Sequence, residues 1–361
     1  MKKKIIFSTG GTGGHIFPAI NLMQHFSEQG YEVLIVTDIR GKEFIKKYAK
    51  FDSYVLNAGT FTNKSLIKKF LSLFVIVYSM IQSIFIIKKE KPNLIFGFGG
   101  YVSFPISFVS KFFNLPLVIY ENNLILGRAN RYLASISKKI LLAKKIDINF
   151  PKKCEYKTFI VGPILSKNII NYSKENKKNN NENFSILILG GSQGAEIFGA
   201  VLPSVIKRLK DEGYKIEITQ QCTKSQKASI EKFYKDNNIK NYVFEFEKNV
   251  LKLILSADLA ITRSGASSTA ELVHTITPFI AIPLPDSIDN HQYLNGKYYE
   301  KKGCCMFLDQ TNFNKENLFK LIEECINNKK KLENIRENMQ KQSKNNVYNN
   351  IEDKIKEFIK I

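Results

Sequence analysis

The chain has 361 residues, 44% hydrophobic and 24% charged, so it is long enough for two domains with separate cores and too ordinary in composition for wholesale disorder. Fifty-four Lys and Arg against 33 Asp and Glu leave a net charge of +21, which favours an anionic partner: nucleic acid, an acidic lipid surface or a phosphorylated substrate. The five cysteines, of which only Cys304 and Cys305 are adjacent, show neither a disulfide framework nor a metal-ligand spacing. They are expected as small buried hydrophobes of an intracellular protein. Met1-Lys2-Lys3-Lys4 is followed by only Ile5, Ile6 and Phe7 before polar residues and glycines, too short a run for an export signal.

Short apolar runs alternate with helix-length amphipathic segments, the pattern of βα units around parallel sheets. Strands are predicted at 4–8, 32–37, 53–56, 93–96, 117–120 and 140–142. Residues 167–183, KNIINYSKENKKNNNEN, then read as a solvated linker. The alternation restarts at Phe184, with strands at 186–189, 215–219, 243–246, 259–262, 279–283 and 306–308. The expected fold class is α/β, two doubly wound Rossmann-like domains facing a cleft. Boundaries are expected at 1–163 for the N-terminal domain, 164–183 for the linker and 184–343 for the C-terminal domain. The remainder, 344–361, is a final amphipathic helix carrying Ile351, Ile355, Phe358 and Ile359, expected to pack back on the N-terminal domain.

The first strand runs into Gly10-Gly11-Thr12-Gly13-Gly14-His15 and a helix over 16–29. Glycines let backbone N–H groups crowd an anion, and the helix start adds partial positive charge. A dinucleotide site, with Asp38 on a ribose, is one reading; the third glycine of that fingerprint is missing, because Ile16 stands there. The second half opens the same way with Gly190-Gly191-Ser192-Gln193-Gly194-Ala195, where Ser192 offers a hydroxyl to a phosphate. A lone glycine turn can be purely steric, but two at equivalent places in two α/β halves are much stronger evidence of a phosphate site. Neither is closed by Lys-Ser or Lys-Thr, which disfavours a P-loop NTPase. His15, held neutral by the positive helix end, suits a general base.

Further on, Arg263-Ser264-Gly265-Ala266-Ser267-Ser268-Thr269-Ala270-Glu271 runs from strand into helix. Small residues leave N–H groups open there, and Glu271 can accept two ribose hydroxyls, though a helix-capping glutamate is the structural alternative. Asp286-Ser287-Ile288-Asp289-Asn290-His291-Gln292-Tyr293 is dense in hydrogen-bonding groups, which suits a sugar. Residues 70–87, FLSLFVIVYSMIQSIFII from Phe70 to Ile87, carry no charge and are flanked by Lys68-Lys69 and Lys88-Lys89. Their length borders on a membrane span, but strands of one sheet lie on either side and Ser72, Ser79, Gln82 and Ser83 interrupt the run. A helix pressed into an anionic lipid interface fits better, with a buried core helix as the alternative.

In order and spacing, GGTGGH, GFGGYVS at 97–103, ENN at 121–123, GGSQGA, RSGASSTAE and DNHQYLN at 289–295 resemble the MurG family. That family comprises peripheral membrane N-acetylglucosaminyltransferases converting lipid I to lipid II in bacterial peptidoglycan synthesis. The resemblance spans nearly the whole chain. It implies a glycosyltransferase fold of the B type at the cytoplasmic face of the inner membrane, with UDP-N-acetylglucosamine (UDP-GlcNAc) on the C-terminal domain and the undecaprenyl-linked acceptor on the N-terminal one. By residue it implies that Thr12, Gly13 and Gly14 face the donor's sugar or phosphate, with His15 as catalytic base and Asn123 near the transferred sugar. Ser192 would meet the pyrophosphate, and Ser264, Ala266, Ser267 and Ser268 would line the donor. Glu271 would hold the ribose, His291 and Gln292 the GlcNAc hydroxyls, and the backbone at Phe246 and Glu247 the uracil. Gly99, Gly100, Tyr101, Glu121 and Asn122 would lie on the acceptor side. One departure falls at Val161-Gly162-Pro163-Ile164-Leu165-Ser166, where Ser166 stands in place of a phosphate-facing Arg and Lys167 is the adjacent cation. No cofactor or metal is implied, and without an Asp-x-Asp pair the leaving UDP would rely on helix starts and glycine-loop amides. A diacylglycerol acceptor and a nucleic-acid-binding module are the competing readings; the second is disfavoured because basic and aromatic residues do not interleave in the loops.

Overall fold

The computed structural model describes residues 2–11, 13–48, 51–57, 66–172, 183–191, 195–247, 249–343 and 346–359, apart from the side chains of 47–48 and 66–71. The chain divides into two compact units, Met1–Ser166 with Asn345–Ile361, and Lys167–Lys344.

The first unit holds a parallel sheet of β1 (Lys4–Ser8), β2 (Glu32–Thr37), β3 (Ser53–Val55), β4 (Leu94–Gly97), β5 (Leu117–Glu121), β6 (Lys139–Leu142) and β7 (Thr158–Ile160) in the order β3-β2-β1-β4-β5-β6-β7. Strands β4 and β5 are buried throughout, as a sheet covered on both faces requires. Phe7, Phe96 and Phe98 stack at 5.1–6.1 Å between centroids, and Tyr120 lies 5.6 Å from Phe98, so an aromatic floor runs from β1 to β5. Each such pair contributes roughly 0.5–1.5 kcal/mol beyond its buried area.

The second unit repeats the plan with β8 (Phe184–Leu189), β9 (Ile216–Gln221), β10 (Lys240–Phe244), β11 (Leu259–Arg263), β12 (Phe279–Ile282) and β13 (Met306–Phe307), ordered β10-β9-β8-β11-β12-β13. In both sheets the order reverses beside the first strand, and ligands of such sheets bind at the carboxyl ends of strands around that point. Eleven of the predicted strand runs fall on strands to within two residues. The twelfth, 243–246, belongs at Lys240–Phe244: its polar first half suits an edge, which one-sided exposure hid from an apolar search. For the same reason the short edge strand β7, with Ile160 59% exposed, has no counterpart in the prediction.

The expected linker is corrected at its start. The first unit runs on through Ser166, and Lys167–Ile170 forms a helical turn of the second unit with Ile169 buried and the Ile170 carbonyl 3.5 Å from His274 Nε2. Residues 173–182 lie outside the described residues. The helix Val347–Ile359 packs on the first unit. Ile351, Ile355 and Ile359 are buried, the Tyr348 hydroxyl donates to the Leu165 carbonyl (2.7 Å), Asn350 Nδ2 donates to the Val161 carbonyl (3.2 Å), and Glu352 meets His25 Nε2.

The long helix Leu66–Glu90 is not a core helix. Leu73, Phe74, Val77, Tyr78, Ile81 and Phe85 are 47–68% exposed, while Ser72, Ser79 and Ser83 are buried. Ser79 Oγ donates to the Val75 carbonyl (2.9 Å), satisfying a buried hydroxyl inside the helix. The apolar residues thus recur every four positions on the outer face, at 73, 77, 81 and 85, the reverse of the pattern for a helix of a water-soluble surface.

Candidate active site

In the first unit two glycine turns, after β1 and after β4, meet back to back. Gly10 N–H donates to the Gly99 carbonyl (3.0 Å), and a Cβ on Gly100 would stand 2.8 Å from Gly10 Cα. Gly99 and Gly100 both have φ above +80°, a conformation costly to any other residue. Gly100→Ala should therefore cost about 2–4 kcal/mol, read by urea unfolding, because strained φ adds to a backbone clash that no side chain can relieve. Gly14 is the contrast: it is exposed, and a Cβ there would meet nothing within 4 Å. Nothing among the described residues requires glycine at 14; an approaching ligand would be a physical reason for it. Gly14→Ala should leave the unfolding midpoint nearly unchanged yet impair turnover; full activity would remove that reason.

His15 lies in the first turn of the helix Gly13–Glu28, and a Cβ on Gly99 would stand 3.4 Å from its Cε1. Pro18 has no N–H to give the Gly14 carbonyl, which leaves that oxygen without its usual helical partner beside His15. Thr12 lies outside the described residues. Asp38 does not serve a ribose. Its Oδ1 accepts from Gly41 N–H (2.8 Å), fixing the next helix, and its Oδ2 pairs with Arg40 (3.2 Å). A Cβ on Gly11 would stand 2.0 Å from that Oδ1, so Asp38 also fills the space beneath the first turn.

The loop after β5 corrects a second expectation. Glu121 and Asn122 are 1% and 5% exposed and have no open face for an acceptor. Glu121 Oε1 accepts from Asn123 N–H and Nδ2 (both 3.0 Å), and Oε2 from Gly127 N–H (2.9 Å) and Asn130 Nδ2 (3.0 Å). Its acceptor capacity is spent on the loop. Glu121 therefore positions Asn123, which is half-buried, and Asn130, which touches the back of Gly99. Asn122 Oδ1 accepts from the buried Tyr120 hydroxyl (3.2 Å), which in turn accepts from Ile164 N–H (3.1 Å), holding 162–164 toward Ser166. Tyr101 and Ser166 are half-buried, and Lys167 opens the short helix Lys167–Ile170. Sequence reasoning did not find Tyr120 or Asn130: nothing local marks a side chain whose partners lie up to 44 residues away.

In the second unit the helix Ala266–His274 starts after Gly265 with no side-chain cap, so the N–H groups at Ala266, Ser267 and Ser268 are presented without an intrahelical acceptor, a ready anion site. Gly191, with φ +81°, has nothing within 4 Å of a Cβ; Ser192 lies outside the described residues. One turn into that helix Glu271 is partly buried, and desolvation pushes its carboxyl up to about 7. Its carboxyl takes no hydrogen bond from any described residue, unlike a capping glutamate.

The loop after β12 is held against this helix start. Asn295 Nδ2 donates to the Ser264 carbonyl (3.3 Å), and a Cβ on Gly296 would stand 3.0 Å from Ser264 Oγ, a buried hydroxyl with no partner among the described residues. Gln292 Oε1 accepts from Leu284 N–H (3.0 Å), closing the loop on itself. Asp289 and Asn290 adopt left-handed φ near +55°, backbone strain of a kind concentrated at ligand sites. His291 Nδ1 donates to the Ile288 carbonyl (2.7 Å), leaving Nε2 as the ring position for a hydroxyl. Arg263 braces the loop by donating to the Pro283 carbonyl (2.9 Å) and to Gln310 (2.6 Å), and burial lowers its pKa. Phe246 is 39% exposed beyond β10, and Glu247 accepts from Tyr242 (3.0 Å) and Asn249 N–H (2.9 Å), so its side chain shapes the loop that its backbone offers.

Comparison with known proteins agrees with this geometry. Residues 5–142 match the glycosyltransferase family 28 N-terminal domain, and 185–353 its C-terminal domain. A Pelagibacter ubique protein is 34% identical over 98% of both chains, and one from Rickettsia bellii is 36% identical over 95% of this chain and 96% of its own. Both are named UDP-N-acetylglucosamine--N-acetylmuramyl-(pentapeptide) pyrophosphoryl-undecaprenol N-acetylglucosamine transferase. Among solved structures, Acinetobacter baumannii MurG superposes with a TM-score of 0.78 at 25% identity, covering 98% of this chain and 99% of its own. Glycine turns at the same points of two parallel sheets, matched over almost the full length, mean that this chain belongs to glycosyltransferase family 28 and, within it, to the MurG enzymes.

Proposed function

We propose that this chain transfers N-acetylglucosamine from UDP-GlcNAc to undecaprenyl-pyrophosphoryl-N-acetylmuramyl-pentapeptide, lipid I to lipid II, with inversion. The observation that carries this reading is the near full-length identity to relatives named for that reaction. His15 takes the proton of an acceptor hydroxyl, whose oxygen bonds to the anomeric carbon as the bond to the UDP oxygen breaks on the opposite face. The stereochemical logic is that of inverting glycosidases. Negative charge gathering on the departing diphosphate is met by N–H groups at the start of Ala266–His274, while Glu271 takes ribose hydroxyls and His291 with Gln292 the sugar. Radiolabelled UDP-GlcNAc and a lipid I analogue, with and without chelator, test it. Lipid II is expected in both; no transfer, or transfer to diacylglycerol in preference, would overturn the reading.

The proposal includes a peripheral seat on the cytoplasmic face of the membrane. The outer face of Leu66–Glu90 continues into an aromatic row on the helix packed beside it and beyond: Phe104, Phe108 and Phe112 at 5.5–5.7 Å, with Phe112 and Tyr132 more than 70% exposed. Lys88, Lys89 and Lys111 are exposed near its edges, and each lysine near an acidic surface contributes about 1 kcal/mol. Residues Ser72–Glu90 have the length and hydropathy of a span, but β3 and β4, which flank this helix, share one sheet. Phe74→Ser with Phe85→Ser, or Lys88→Gln with Lys89→Gln, should release the protein from anionic liposomes while sparing transfer to a short soluble acceptor. Salt should weaken only the lysine part. Carbonate-resistant association would favour a span instead.

A further inference from the structure

The second sheet ends in a strand with no paired neighbour on its outer side among the described residues. β10 lies at its edge beyond β9, paired in parallel with Lys240 opposite Glu217 and Phe244 opposite Gln221. The Phe244 carbonyl accepts from Cys222 N–H (2.9 Å), so Phe244 turns its main chain toward β9, and strand alternation then turns the main chains of Asn241 and Val243 outward. Beside this edge lies a groove of about 710 Å³, walled by Lys227, Glu231 and Lys235 of the helix Lys224–Asp236 and floored by Ile239, Asn241 and Tyr242. The outward main chains of Asn241 and Val243 along the groove suit an extended chain rather than a compact ligand, the Val243 side chain itself lying in the core.

The charge of the groove selects the occupant. Lys227, Lys235 and Lys240 border it; Lys227 lies 3.9 Å from Glu231 and Lys240 pairs with Glu217 (2.6 Å), whereas Lys235 has no ion-pair partner among the described residues. Tyr242, 48% exposed, offers an aromatic surface between the lysines. A second copy of this chain would bring the same lysines to the same groove, on a molecule already carrying +21. We infer that β10 is a docking edge, to which an extended acidic segment of a partner protein adds as a further strand. Its main chain would bond to Asn241 and Val243, and its carboxylates would meet Lys227, Lys235 and Lys240. Main-chain bonds give such strand addition its affinity, and alternate side chains its specificity.

The probe is a fluorescein-labelled eight-residue peptide of alternating Glu and Val, titrated with the full chain at about 150 mM salt, where distant charge attraction is screened, and read by anisotropy. Saturable binding is expected. Asn241→Pro should weaken it at least about tenfold, because it removes an outward N–H and leaves the ladder to β9 intact. Lys227→Glu with Lys235→Glu, on an exposed helix face, should weaken it as much and confer binding of the Lys-Val counterpart. Thermal melts establish that each variant is folded. Absence of saturation by about 1 mM would mean that Lys240 merely guards the edge. Equal binding of a proline-interrupted peptide of the same charge would reduce the effect to attraction, and unchanged binding by both variants would place it elsewhere; each result overturns the proposal. Self-association in sedimentation that Asn241→Pro abolishes would make the occupant a second copy, and the partner reading would fall.

Discussion

His15→Ala should lower turnover by roughly a hundred- to ten-thousandfold while UDP-GlcNAc affinity changes little, the signature of a lost general base. The expectation rests on placement. The ring stands in the first turn of its helix against Gly99, beside Gly14, whose outer side is open, and the Glu121 network fixes Asn130 behind Gly99. In the proposed reaction this group meets the acceptor hydroxyl, whereas the ribose, diphosphate and most sugar contacts would lie on the second unit. Pre-steady-state transfer and equilibrium donor binding separate the two quantities. Equal losses in both would make His15 a binding residue and leave the base unassigned.

What the sequence discloses follows from burial. Strands β1, β4, β5 and β8, covered on both faces, write near-continuous apolar runs and were legible to within two residues; the edge strands β7 and β10, whose residues are largely polar or exposed, were not, although the edge strands β3 and β13 were. The glycine turns and the RSGASSTAE helix start were legible because each follows such a strand directly. Less legible was the destination of polar side chains. Asp38 and Glu121 look like ligand carboxylates in one dimension, yet the first turns back to Gly41 and the second is consumed by Asn123, Gly127 and Asn130. Arg263 reaches Gln310 across 47 residues, a pairing no local pattern encodes. In Leu66–Glu90 composition gave the apolar run, but only packing shows that Ser72, Ser79 and Ser83 face inward and Phe74, Tyr78 and Phe85 outward.

Glu271 should make donor binding depend on pH. Burial holds its carboxyl at about 7 against an ordinary value of 4.5, and ribose hydroxyls, as donors, favour the ionised form. Bound donor must then lower that value, so UDP-GlcNAc affinity should be flat above about pH 7.5 and fall toward tenfold per unit below 7. The diphosphate of UDP-GlcNAc is a diester that does not titrate in this range, so the break belongs to the protein. Glu271→Gln should bind more weakly at pH 8, lose the break, and suffer less than the wild type from a 2′-deoxy donor. Folding stability gives an independent check with the opposite sense. Because the folded-state value is raised, the wild type gains from Glu271 at low pH and loses that gain as pH rises from 4.5 through 7, by on the order of 1–3 kcal/mol. Glu271→Gln has no such loss, so its melting temperature relative to wild type should rise between pH 5 and pH 8. A variant that keeps the wild-type pH profile for donor binding would show that another group titrates, and Glu271 would then be part of the helix and not of the ribose site.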